Sequence, residues 1–83
     1  MSKRQKELRD FTVSYIGSVL GEAVTLQDEN IYWAFPEAGN YAASVDDSGA
    51  VTLWEDAFPL ERSDMQYRII GYCASNDIKA RVI

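Results

Sequence analysis

Histidine is absent from this chain of 83 residues, cysteine occurs once and proline only twice. Without histidine there is no side chain whose ordinary pKa lies near neutrality, and the commonest protein metal ligand is missing. Ser-His and Cys-His nucleophile pairs are therefore excluded within one chain. The single cysteine, Cys73, allows neither an intrachain disulfide nor a paired-cysteine zinc site, and it fits a reducing compartment. No apolar run approaches the roughly 20 residues that a membrane span needs. The first residues place Lys3, Arg4 and Lys6 before Glu7, Arg9 and Asp10, which breaks up the apolar segment of a signal peptide. The expected location is the cytoplasm, or the host cytoplasm if a virus encodes the chain. The five glycines are scattered, and none has the spacing of a phosphate-binding or dinucleotide-binding loop.

Positive charge is also missing from most of the chain. The net charge is −5, yet no Lys or Arg occurs between Asp10 and Glu61. That stretch carries Glu22, Asp28, Glu29, Glu37, Asp46, Asp47, Glu55 and Asp56. Half of the basic residues precede it, at Lys3, Arg4, Lys6 and Arg9, and the rest follow it, at Arg62, Arg68, Lys79 and Arg81. Nucleic-acid phosphates call for clustered cations, so direct nucleic-acid binding is not expected. A hydrophobic fraction of 47% with three Phe, five Tyr and two Trp is that of a folded globular chain. The length fits one domain, residues 1–83, with one core.

The periodicity then sets out the elements. Leu8, Phe11, Thr12, Tyr15, Ile16 and Val19 recur at spacings of three and four, which predicts a helix from about Lys6 to Leu20 with Gly21 as its stop. Ser14, Gly17, Ser18 and Gly21 line a second, small-residue face, read either as solvent-facing or as a groove for close backbone approach. Val24 to Gln27 reads as a weak strand, and Asp28-Glu29-Asn30 as a turn. Ile31 to Phe35 is a strong strand with Ile31, Trp33 and Phe35 on one face and Tyr32 and Ala34 on the other, ended by Pro36. Tyr41 to Val45 and Ala50 to Glu55 form a hairpin about Asp46-Asp47-Ser48-Gly49. Alternation places Tyr41, Ala43 and Val45 inward and Trp54 outward.

Phe58 and Leu60 are expected to fold back on the core. Ser63-Asp64-Met65-Gln66 has the form of a capping box opening a second helix that runs to about Ser75. Met65, Ile69, Tyr72 and Cys73 make its inward stripe, and Asn76 is the expected left-handed cap. A last strand alternates Ile78, Ala80 and Val82 with Lys79 and Arg81. The fold class is thus α+β, an antiparallel sheet of four to five short strands with two helices on one face, in the order α-β-β-β-β-α-β.

Little here carries chemistry. The paired acids Asp28-Glu29, Asp46-Asp47 and Glu55-Asp56 all fall at turns, where carboxylates hold local hydrogen bonds. A calcium loop at Asp46-Asp47-Ser48-Gly49 would be too short for an EF-hand and has no closing Glu. The expectation is a protein that is not an enzyme and needs no cofactor or metal. The candidate partner-binding residues are Asp28, Glu29, Tyr32, Asp46, Asp47, Trp54, Glu55 and Asp56, which combine negative charge with the aromatic side chains that anchor interfaces. They suit a larger protein with a basic surface. In size, charge and lack of catalytic residues the chain resembles small acidic inhibitors of phages and mobile elements, such as anti-CRISPR proteins and DNA mimics. That resemblance is to a class and covers no motif. The alternative is an assembly module forming a homodimer or a small subunit of a complex. A small hydrolase using paired carboxylates is the third reading.

Overall fold

The computed structural model describes residues 2–21, 24–27, 30–35 and 40–83. Helix α1 spans Lys3–Leu20 and is followed by β1 (Val24–Gln27), β2 (Asn30–Ala34), β3 (Tyr41–Val45) and β4 (Val51–Leu53). Two short 3-10 turns, Glu55–Ala57 and Leu60–Arg62, lead into α2 (Ser63–Ser75), and β5 (Ala80–Val82) follows. The α+β class stands. The expectation of a purely antiparallel sheet does not. The five strands lie in sequence order, the first three pairings are antiparallel, and β5 runs parallel to β4. A parallel neighbour requires a crossover of a dozen residues or more. The 3-10 turns and α2 supply it.

One face of the sheet carries the core. Trp33, Ala43 and Leu53 form one cross-strand row, and Val45 pairs with Val51 in the next. All five are buried, and Ile16, Val19 and Leu20 of α1 and Ile69 and Cys73 of α2 close over them. α1 is entered through a capping box that the sequence reading did not anticipate. The Ser2 hydroxyl accepts from the Gln5 amide, and the Gln5 side chain accepts from the Ser2 amide. At α2 the expected box is absent, because Ser63 is already helical and its hydroxyl donates to the Leu60 carbonyl. Asn76 is not left-handed either; Asp77 takes the positive φ, at 56°. Several apolar residues depart from expectation: Leu8 of the α1 stripe and Val82 of the last strand are exposed, and so are Phe11 and Leu60. Phe11 is 67% exposed, since the inward stripe of α1 runs through Thr12 and Ile16. Leu60 is 89% exposed, whereas Phe58 is buried and meets Phe35 edge-on.

The small-residue face of α1 is divided. Ser14, Ser18 and Gly21 are exposed, but Gly17 is turned toward the indole of Trp33. The Trp33 Nε1 is buried and has no hydrogen-bond partner among the described residues. Among the described residues, a Cβ at Gly17 would meet only that nitrogen, at 3.8 Å, which is ordinary contact, and a Cβ at Gly71 in α2 would meet nothing within 4 Å. Glycine is therefore not required sterically at either position, and each costs about 1 kcal/mol of helix propensity relative to Ala. Gly17→Ala and Gly71→Ala are each expected to stabilise the fold by about 0.5–1 kcal/mol in urea denaturation. Gly49→Ala, at φ +91°, is expected to destabilise it.

Candidate functional site

The face of the sheet away from the helices is where the candidate aromatics meet. Tyr32, Ser44, Thr52 and Arg81 are successive register partners across four strands. Trp54 lies on the same side, as alternation predicts, but Tyr41 does not follow alternation. The β2–β3 register pairs Trp33 with Ala43 and Ala34 with Tyr41, so one step on β2 spans two residues of β3. This bulge at Ala42 turns Tyr41 from the helix side to the open side. The Tyr32 and Tyr41 ring centroids lie 4.6 Å apart, Tyr41 and Trp54 6.1 Å, and Tyr32 and Trp54 6.3 Å, all within the range of favourable ring packing. All three rings are half-buried, while Ser44 and Ala42 are buried. Trp54 leads directly into the 3-10 turn that exposes Glu55 and Asp56.

The two described acidic pairs lie at opposite ends of the sheet. Asp46 and Asp47 lie beyond the end of β3 at the β3–β4 turn, and Glu55 and Asp56 lie beyond β4 at the far end. Asp28 and Glu29 lie outside the described residues. Of the candidate set, the fold thus brings together Tyr32, Trp54, Glu55 and Asp56, adds Tyr41, and leaves Asp46 and Asp47 apart from them.

Asp46 is committed to its own turn. One carboxylate oxygen accepts from the Ser48 amide at 2.9 Å, the Ser48 hydroxyl at 2.6 Å and the Ala50 amide at 3.0 Å. Its carbonyl accepts from the Gly49 amide at 3.0 Å and from Arg9 Nε at 2.9 Å, which ties α1 to the hairpin. Partial burial raises the Asp46 pKa. The hydrogen bonds from the Ser48 hydroxyl and from the amides of Ala50, Ser48 and Gly49 together outweigh that and hold it below its ordinary value. Asp46 therefore acts as a turn clamp, and its charge is not a clean probe of binding. Asp47 is exposed.

Cys73 is buried under α2, and burial pushes its thiol pKa up. A buried thiol held protonated is a poor nucleophile. Among the described residues, no three of the acids and Cys73 are grouped so as to hold a metal ion. No described helix is long and apolar enough to cross a membrane. Compared with protein-family models, curated proteins and solved structures, the chain has no significant match.

Two outcomes are expected. Asp46→Ala should cost about 1–2 kcal/mol at neutral pH, as three hydrogen bonds to a charged acceptor are lost. A depressed folded pKa stabilises above the ordinary value of 3.8 and ceases to as pH falls through the lower folded value. The gap between wild type and Asp46→Ala should thus be constant near neutrality and close in strong acid, measured by urea denaturation at each pH. Cys73 should resist a thiol reagent in the native protein and react on unfolding; rapid native labelling would contradict the packing described.

Proposed function

We propose that this chain is a protein-binding module without chemistry of its own, and that it presents the Tyr32–Tyr41–Trp54 cluster, with Glu55 and Asp56, to a basic surface of a larger protein. The observation that carries this reading is the self-packed ring cluster on a sheet face with no described helix over it, next to two exposed carboxylates. Aromatic anchors flanked by charge match the make-up of binding hot spots, in which a few rings supply most of the affinity and surrounding charges set encounter rate and orientation. Rings already packed on one another lose little side-chain freedom on binding. A guanidinium or ammonium from the partner would gain from the ring faces as well as from the carboxylates. Occupying a basic site in this way would inhibit whatever that site normally binds.

The reading is tested with the immobilised chain and a lysate of its native host. One partner should be retained by wild type and released by salt. Trp54→Ala should weaken its capture by about 30-fold, the size of a hot-spot loss. Glu55→Lys/Asp56→Lys should slow its association, and Asp47→Lys should leave both unchanged. Capture indifferent to Trp54 and to the Glu55 and Asp56 reversal would refute the proposed face. A dimer mass by light scattering without any partner would favour the assembly reading.

A further inference from the structure

The sheet ends at β5, which pairs with β4 alone among the described residues. The Val51 amide donates to the Lys79 carbonyl at 2.9 Å, and the Ile83 amide donates to the Leu53 carbonyl at 2.8 Å. In a parallel ladder alternate residues of a strand bond to the same neighbour, so Lys79, Arg81 and Ile83 turn their main chain toward β4. Ala80 and Val82 turn theirs the other way, and each offers an N–H and a C=O at the open edge. Every residue of β5 is exposed, with Val82 at 43% and the following Ile83 at 60%. No proline and no described bulge interrupts the strand. An edge of this kind is a template for a further strand.

The side chains decide which strand fits. Arg81 is the register partner of Thr52, in the row that begins at Tyr32, and alternation sets Lys79 on the same face. Ala80 and Val82 lie on the helix side, in register with the buried Val51 and Leu53. Neither Lys79 nor Arg81 forms an ion pair with a described residue. The neighbouring acids belong to turns: Asp46 is held by the Ser48 and Ala50 amides, and Asp77 follows α2. A second copy fits the edge poorly. Antiparallel self-pairing has to set Ala80 or Val82 opposite Ala80 or Val82, because only these face outward. Ala80 opposite Ala80 puts Lys79 against Arg81, and Ala80 opposite Val82 puts Arg81 against itself. Like charges directly opposite each other destabilise a strand pair. Val82 opposite Val82 avoids both clashes but joins the strands over residues 81–83 alone.

We infer that the open edge of β5 takes an extended acidic segment of another protein as an added strand, with carboxylates opposite Lys79 and Arg81 and small apolar residues opposite Ala80 and Val82. Main-chain hydrogen bonds supply the affinity and the alternating side chains the selection. The cations that repel a second copy attract this strand. The inference does not rest on the ring cluster, since its contacts are made along the edge of the sheet and not on the rings.

The probe is the blocked peptide Ac-Glu-Val-Glu-Val-Glu-NH2, with its Glu-to-Lys counterpart as comparator, each titrated into the labelled full chain and followed by NMR. Saturable shifts and slowed hydrogen exchange are expected at the Ala80 and Val82 amides, while exchange at the Arg81 amide, already turned to β4, changes little. The acidic peptide should bind about tenfold more tightly than the basic one. Ala80→Pro removes an outward N–H and leaves the bonds to β4, so it should weaken the acidic peptide by about tenfold or more in a chain that spectral dispersion shows to be folded. Arg81→Glu should reverse the preference between the peptides, and Arg68→Glu, an equal change of charge exposed on α2, should not. Trp54→Ala should leave peptide binding unchanged, which separates this edge from the proposed ring face. Equal affinity for the two peptides, indifference to Ala80→Pro in a folded chain, or loss of binding in Trp54→Ala would overturn the inference. So would a dimer by light scattering that Ala80→Pro abolishes, since a second copy would then occupy the edge.

Discussion

Both helices of this chain pack on the same face of its five-stranded sheet. The core row Trp33–Ala43–Leu53 and the pair Val45–Val51 are buried because α1 and α2 lie over them. The opposite face has no described helix to cover it, so any apolar surface there gains most by packing against itself. Tyr32, Tyr41 and Trp54 do so, and beneath them Ala42 and Ser44 become buried on a side that would otherwise be wet. The cluster therefore has a structural role before any functional one. It shields the open side of the β2–β3–β4 segment and still leaves its outer ring surfaces exposed to a partner.

Much of this arrangement was legible in the sequence. The inward placement of Trp33, Phe35, Val51 and Leu53 followed from alternation, the hairpin from Asp46-Asp47-Ser48-Gly49, and the end of α1 from Gly21. Trp54 was expected on the open face and lies there. Tyr41 was not, because a bulge adds one residue to one strand and reverses the facing of everything before it. Alternation within a strand has no way of registering an insertion whose only partner is another strand. The direction of β5 was missed for a different reason. A helix between two strands was visible, and a crossover of that length is the usual signature of a parallel pair. That signal was available and was not given its weight.

Helix ends and surface apolars show where local rules give way. Ser63 begins a capping-box pattern, but the preceding 3-10 turn uses its hydroxyl on the Leu60 carbonyl, so the motif is present and the cap is not. Ser2 and Gln5 have the same pattern with nothing competing, and there the box forms. Phe11 stays exposed because a 3.6-residue stripe is wider than the contact that a sheet offers, so its margin residues fall outside, and Leu60 because it opens the 3-10 turn before α2 and points away from the core. The candidate site was half legible for a related reason. The residue types were evident from composition, but which acids sit beside which rings depended on strand order and register.

Net charge describes this molecule poorly. The chain extends 37 Å along its longest axis, and the Debye length at physiological ionic strength is about 8 Å. A ligand at either end therefore responds to the charges within its own neighbourhood and hardly at all to the total of −5. Beyond Trp54 those charges are Glu55 and Asp56; at the β3–β4 turn they are Asp46 and Asp47 with Arg9 and Lys79. Folding sets Arg9 and Lys79 beside the turn acid Asp46, so cations from the two ends of the chain and an acid of its middle share one neighbourhood that no total charge describes.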